Sequence, residues 1–497
     1  MDDFKARFQQ DFEKANGIDL SFDLDQLPQN GRGDRHRMHP AAKGAIIAAS
    51  IVAGVVVTLP AGFVAAMMFR VNESVKTSKK AYSLKEIQIA ESNSFRKLNE
   101  VSYPDGDSPL RSALSEEQSA SYRQFADKTY RALLQGGKKD NLSYSVAGLY
   151  AACNEMAGAA SRSDLQADFD ALLGMDAGKR IYLYDKIMGA NSFATENSSI
   201  QLKNAAFFTN RFDYAPEYVE FLTRRYCEAY QIDFASEAGK MVDWVNQAVY
   251  SKGFISPAFL ETNDETALYL FSTLYFKNAW SHKFLKESNV KDPFYLADGT
   301  VIDATFMQHS YMADHYYDYG SYISVKDYYF HGNASVTYLV PKKTEDDIFA
   351  LTSGMNIFQE DEDKKVTPEG HGLITVNLKA PKFETETEVD FASCFESLGF
   401  GDIFDRNIDS FHGAFTGEKA EGYNFYLQKI KQKNSVGWNE DGTIIKSVSM
   451  AMFGAGGAAP HTTMDTLDVE LNQPFIYIIK DVNDVPIFVG HMDNPTK

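Results

Sequence analysis

What this sequence is short of narrows its function first. Three cysteines in 497 residues, Cys153, Cys227 and Cys394, are too few and too scattered for a disulfide framework or a cysteine-ligated zinc site, and they suit small buried apolar positions. G-x-S-x-G, H-E-x-x-H, G-x-x-x-x-G-K-[ST] and C-x-x-C are all missing, so the nucleophile elbow, the zinc-protease helix, the phosphate loop and the dithiol motif have no candidate here. Positive charge is scarce where the chain is longest. Residues 1–113 carry 15 Lys and Arg against 14 Asp and Glu, but residues 114–497 carry 34 against 54, a net charge of −20. Such a surface repels nucleic acid and anionic lipid, and no Lys/Arg cluster marks a polyanion site. The chain reads as a non-enzyme that needs no cofactor and no metal.

What is present is apolar and aromatic. The composition is 44% hydrophobic and 13% aromatic, enough for a sizeable core. One run stands apart: residues 44–69 hold no charge and are flanked by Lys43 and Arg70, long enough to span a bilayer with some tilt. Some forty polar residues precede it, which fits an uncleaved anchor better than a signal peptide. Residues 1–43 then form a short cytoplasmic tail, in which Phe4, Phe8 and Phe12 recur every four residues, and Arg35–His39 is a basic flank of the anchor. Residues 70–113 read as a polar stalk broken at Pro104 and Gly106, and 114–497 as the globular domain. Basic residues nearly balance across the run, but a long domain crosses with little regard for them. The expected placement is the cell membrane, single-pass, with the domain outside.

Within that domain helices come first and strands follow. "SEEQSASYRQFADKTYRALLQGG" has helical spacing and a glycine stop, "SVAGLYAACNEMAGAAS" is a small-residue helix fit for burial, and "APEYVEFLTRRYCEAY" and "GKMVDWVNQAVYSKGF" are amphipathic. "ALYLFSTLYFKNAW", "ASVTYLVP", "LITVNLKAPKFETETEV", "TLDVELNQPFIYIIKD" and "VPIFVGHMDNP" read as strands. The order indicates an α+β domain with large, mainly antiparallel sheets. Near its end lies "AMFGAGGAAPH", residues 451–461, a run of small uncharged residues. It cannot be a phosphate loop, because Pro460 and a strand pattern follow it rather than a helix.

The ordered blocks of 114–497 resemble the serpins, inhibitors of serine proteases. "NLSYSVAGLYAACNEMAGAA" is similar to the family's N-x-x-x-S-P entry to a buried helix, with Asn141 and Ser145 in place. "LYFKNAW" resembles Y-F-K-G-x-W and carries Trp280. "LKAPKFETETEVDFASCFESLGFGDIF" and "NQPFIYIIKDVNDVPIFVGHMDNP" resemble the later family blocks through Pro381, Lys382, Leu398, Gly399, Phe404, Pro474, Phe475, Phe488, Gly490 and Pro495.

The resemblance implies a serpin-like fold with an exposed reactive loop over about 440–466, between "NEDGT" and "NQPF". It implies a metastable main sheet that traps a serine or cysteine protease when the cleaved loop enters it as a new strand. The hinge residues are then Glu440, Gly442, Thr443, Ile445 and Ser447. Fourteen residues beyond Gly442 the attacked bond follows Gly456, with Gly457, Ala455 and Phe453 as neighbouring candidates, so the target protease prefers small or apolar residues. Ser145, Ser272, Trp280, Lys382 and Gln432 fall in the region where the sheet opens, and an ion pair between Glu440 and Lys382 is expected at the loop base. Departures concentrate there too. Val146 replaces a proline, Ser272 an asparagine and Gln432 a histidine, and Ile444, Ile445 and Lys446 replace small hinge residues. The alternative reading keeps the fold without trapping, as a binding, storage, chaperone-like or protease-sensing module.

Overall fold

In the computed structural model, residues 84–104, 113–135, 141–194, 198–344, 346–368, 373–445 and 466–497 are described. The tail, the anchor run, residues 70–83 and 105–112 of the expected stalk, and loop residues 446–465 with the whole small-residue run lie outside them. Among the described residues no helix is long and apolar enough to cross a membrane.

Sequence pattern and architecture meet most directly in the buried helix. Helix α1 (Glu116–Gln135) precedes α2 (Val146–Ala159). Every residue of α2 except Ala152 and Gly158 is buried, as its mostly small and apolar composition, interrupted only by Asn154 and Glu155, requires. Ser145 caps it, its Oγ accepting from the Gly148 N–H at 2.9 Å and satisfying one of the free amides of the first turn. Helices α3 (Ser163–Leu173), α4 (Ala177–Ala190) and α5 (Pro216–Thr223) follow, and α6 (Phe234–Ala248) leads into the short α7 (Pro257–Leu260).

The main sheet has eight strands. Across it run β1 (Phe95–Lys97), β6 (Cys227–Ile232), β4 (Ser198–Thr209), β7 (Leu268–Ala279), β18 (Gly442–Ile445), β17 (Lys431–Asn439) and β15 (Phe383–Asp390), with β3 (Ser192–Ala194) beside the start of β4. Only β4 and β6 are parallel. A second sheet orders β13 (Lys365–Val366), β10 (Tyr316–Asp318), β11 (Tyr322–Tyr328), β12 (Ala334–Pro341), β20 (Phe475–Asp481), β21 (Pro486–Met492) and β2 (Leu142–Tyr144). A third orders β19 (Thr466–Glu470), β14 (Ile374–Pro381), β9 (Val301–Ala313) and β8 (Val290–Tyr295), and β5 (Asp213–Tyr214) pairs with β16 (Phe415–Thr416). One apolar cluster joins α2, the inner side of the main sheet and the second sheet. Another, around Phe207, Tyr230 and Trp244, lies between the outer side of the main sheet and α6. All three cysteines are free and buried.

Four expectations need correction. The run 466–481 is not one strand: β19 ends at Glu470 in the third sheet and β20 starts at Phe475 in the second. The helix begun at Pro216 stops at Thr223. Tyr226 turns the chain at φ 57°, and Cys227 starts a strand parallel to β4, because burial beside a central strand outweighs helical spacing. The run 373–389 is not one strand: at Lys382 it passes from β14 in the third sheet to β15 in the main sheet. Residues 84–104 are not part of a polar stalk. Their β1 extends the main sheet beyond β6, and Leu84, Ile87, Phe95 and Val101 are buried.

Candidate functional site

Strands β17 and β18 form a hairpin with Asn439 opposite Gly442, so Glu440 and Asp441 make its turn. β18 is held on both sides: Thr443 faces Trp438 of β17 and Asn278 of β7, and Ile445 faces Phe276. Glycine is required at 442 by proximity, since a Cβ there would lie 2.1 Å from the Asn278 carbonyl oxygen. Thr443 is fully buried on the inner side, where its Oγ accepts from the Tyr329 hydroxyl at 2.8 Å. Trp280 roofs this corner. Its ring stacks on Tyr329 at 4.8 Å and lies 5.1 Å from Trp438, while its Nε1 donates to the Asn439 carbonyl at 2.8 Å.

Glu440 anchors the turn. Its carboxylate is buried and meets the Lys382 ammonium at 3.0 Å and the Asn289 amide at 2.6 Å. Lys382 is 45% exposed, so the pair is half in water, as the family resemblance implied. Burial opposes the charge on Glu440, but the Asn289 bond, a backbone N–H and Lys382 outweigh it and hold the carboxyl below its ordinary value.

Below Ile445 a cavity separates the described parts of β7 and β17. Among the described residues no ladder joins β7 to β17 past this point, and a cavity of about 270 Å³ lies between Leu268–Leu274 and Lys431–Ser435. Its floor is α2, through Gly148, Leu149 and Ala152, and its roof is Val245 and Val249 at the end of α6 with Phe254 and Phe259 after it. Lys431 and Lys433 reach across from β17 to lie over Phe259 and Phe254 at 5.5 and 5.7 Å.

The structure brings Ser145, Ser272 and Gln432 together at this cavity and sets Trp280, Lys382 and Glu440 at the hairpin end of the gap. Gln432 replaces ring chemistry with a two-way amide clamp, accepting from the Ser145 N–H at 2.9 Å and donating to its carbonyl at 3.0 Å. Ser272 instead donates to Asn204 at 2.7 Å, and Asn204 donates to Tyr184 at 2.9 Å. Of the hinge, Gly442, Thr443 and Ile445 belong to β18. Ser447, Phe453, Ala455, Gly456 and Gly457 lie outside the described residues. Sequence reasoning missed Tyr329, Asn289 and Asn204. Each meets its partner across more than sixty residues, and no local pattern signals that.

A family model described as Serpin (serine protease inhibitor) matches residues 120–495. Serpin-ZXA of Oryza sativa subsp. japonica is 23% identical over 402 residues, covering 78% of this chain and 98% of its own. The leukocyte elastase inhibitor of Sus scrofa is 24% identical over 393 residues, covering 76% of this chain and all of its own. The thermophilic serpin Tengpin, in its native state, superposes with a TM-score of 0.65 at 18% identity, over 84% of this chain and all of that one.

Proposed function

Because this chain belongs to the serpin family, we propose that it is a suicide-type inhibitor of serine proteases, membrane-anchored through residues 44–69 with its domain facing outward. The observation that carries the inhibitory reading is the half-occupied gap: β18 already sits between β7 and β17, and the space below it continues to the end of both strands. A protease that cleaves the loop becomes an acyl-enzyme on the hinge side. The freed segment then extends β18 downward and carries the protease with it before water completes hydrolysis. The driving force is closure of an open ladder, whose backbone groups gain partners as the strand enters.

The register of β18 projects what each residue would meet. Continuing from Ile445 opposite Phe276, Ser447 comes opposite Leu274, Ser449 opposite Ser272 and Phe453 opposite Leu268, the last residue of β7. From Ile444 opposite Gly437, the same count places Ser449 opposite Gln432. A small hydroxyl residue thus arrives where the Ser145–Gln432 clamp must accommodate it. Thr443, Ser447, Ser449 and Ala451 share the inward face, whereas Lys446 falls on the outer one, opposite Tyr275. Ile444, partly buried, is already a strand residue, so its bulk does not bar the hinge from the sheet. The membrane part rests on the uncharged run alone, and the preference of the target for small or apolar residues rests on Phe453–Gly457.

The test is to mix the full-length protein with elastase-like, subtilisin-like and chymotrypsin-like proteases and to look for a complex that survives boiling. A covalent complex with at least one of them is expected. Clean loop cleavage with none of them trapped would overturn the inhibitory reading in favour of a binding or protease-sensing module. Protease added outside intact cells should release the domain; protection until lysis would reverse the proposed topology.

A further inference from the structure

Residues 84–104 form a strap, and its contacts converge on α6. β1 pairs with β6, and Phe95 stacks on Tyr230 at 5.3 Å. Beside it lies Glu228 of β6, with no solvent exposure at all. Its carboxylate accepts from the Ile87 N–H at 3.1 Å and the Tyr103 hydroxyl at 2.8 Å, both in the strap, from Tyr230 at 2.5 Å, and from Trp244 Nε1 of α6 at 3.2 Å. Lys203 of β4, also buried, donates to the Lys85 carbonyl at 2.7 Å. The strap closes on itself through Glu86, which meets Lys97 at 2.6 Å and accepts from the Val101 N–H. Along α6, Lys240 donates to the Ala90 carbonyl at 2.9 Å, and Ser92 donates to Glu237 at 2.6 Å.

The far end of the same helix covers the gap: Glu237, Lys240 and Trp244 hold the strap, while Val245 and, just past the helix, Val249 roof the cavity. A strand entering that cavity brings its outer side chains, Val448 and Met450 by the projected register, beneath this roof. α6 must lift to admit them. Lifting it pulls Trp244 from Glu228 and strains the Ala90 and Ser92 bonds, exposing a buried carboxylate to loss of its donors.

We propose that the strap is a brake on loop insertion, setting the rate at which the sheet opens by holding α6 over the gap. This rests on the insertion reading above. It adds that the segment through which the N-terminal part of the chain joins the domain controls the switch.

The test uses full-length protein carrying Tyr103→Phe, Ser92→Ala and Lys240→Ala together. After loop cleavage the rise in Tm is followed with time. The loosened variant should reach the same final Tm as wild type about fivefold faster or more, the loss of roughly one net hydrogen-bond equivalent from the barrier. Leu172→Ala in α3, which lowers stability away from strap and gap, should leave the rate unchanged. Should the triple variant fold poorly, Lys240→Ala alone must show the same direction. Equal rates with a normal final rise would overturn the brake while leaving insertion intact, as would equal acceleration by Leu172→Ala. No final rise in any variant, wild type included, would overturn the insertion reading and the brake with it.

Discussion

In the second sheet, β12, β20 and β21 are buried at every position, and β20 is paired along its length with both neighbours. In the main sheet, β7 is paired along its length with β4, but among the described residues with β18 only from Phe276 to Ala279. The two sheets share a core, and Trp438 of one lies 5.3 Å from Tyr477 of the other. Yet one is closed, and in the other a cavity lies between the described parts of β7 and β17. On the proposed reading, the closed sheet is a frame that need not change, and an inserted strand would gain its backbone partners in the ladder beside it.

Two glycines separate the sheets most strongly. A Cβ at Gly490 in β21 would lie 2.0 Å from the Tyr477 ring, which Trp438 and Phe383 hold in place. Gly490→Ala should therefore cost about 3 kcal/mol or more by overpacking, read by chemical denaturation. Gly442→Ala makes as close a clash with Asn278, but β18 can withdraw, so its stability cost should be smaller while the Thr443–Tyr329 bond is lost. Equal costs would mean that the hinge is as fixed as the closed sheet.

Acidity should act with opposite sign in the two regions. Asp481, buried at the end of β20, is pushed up to about 6 by burial, against hydrogen bonds from the Asn483 and Val485 region and from Asn191. A carboxyl raised on folding gives its full stability below its unfolded pKa near 3.8 and loses it as pH rises to about 6. The loss is of order 2–3 kcal/mol. Asp481→Asn should remove that slope and stabilise the protein at neutral pH; an unchanged slope would assign it elsewhere.

Glu440 works the other way. Its lowered carboxyl contributes above its ordinary value of 4.5 and is lost as pH falls through the folded value. The effect is the smallest expected, because Lys382 is half in water. Lys382→Ala should cost no more than about 1 kcal/mol and should flatten the low-pH loss; a steeper loss would show that Lys382 is not its source.

The parts legible in the sequence were those with a strong local period, α2 and β12. The Glu440–Lys382 pair was legible only through the family resemblance. The strap was not, because β1 has three residues and its buried Leu84, Ile87, Phe95 and Val101 follow no period. Their burial depends on partners in β6 and α6 more than a hundred residues away. The Tyr329–Thr443 bond, which fixes the inward face of the hinge, was hidden for the same reason.

The central claim is that the open gap is completed by the chain's own loop, and the melting temperature before and after loop cleavage tests it most directly. Wild type should rise by at least about 10 °C, the effect of several kcal/mol on a domain of this size. Lys446→Ala should rise as well, since continuing the β18 register would put Lys446 on the outer face. Thr443→Arg should not rise, because its guanidinium would be forced into the buried place of a hydroxyl bonded to Tyr329. A wild type that melts at the same temperature after cleavage, or a Thr443→Arg variant that gains as much as wild type, would contradict the account.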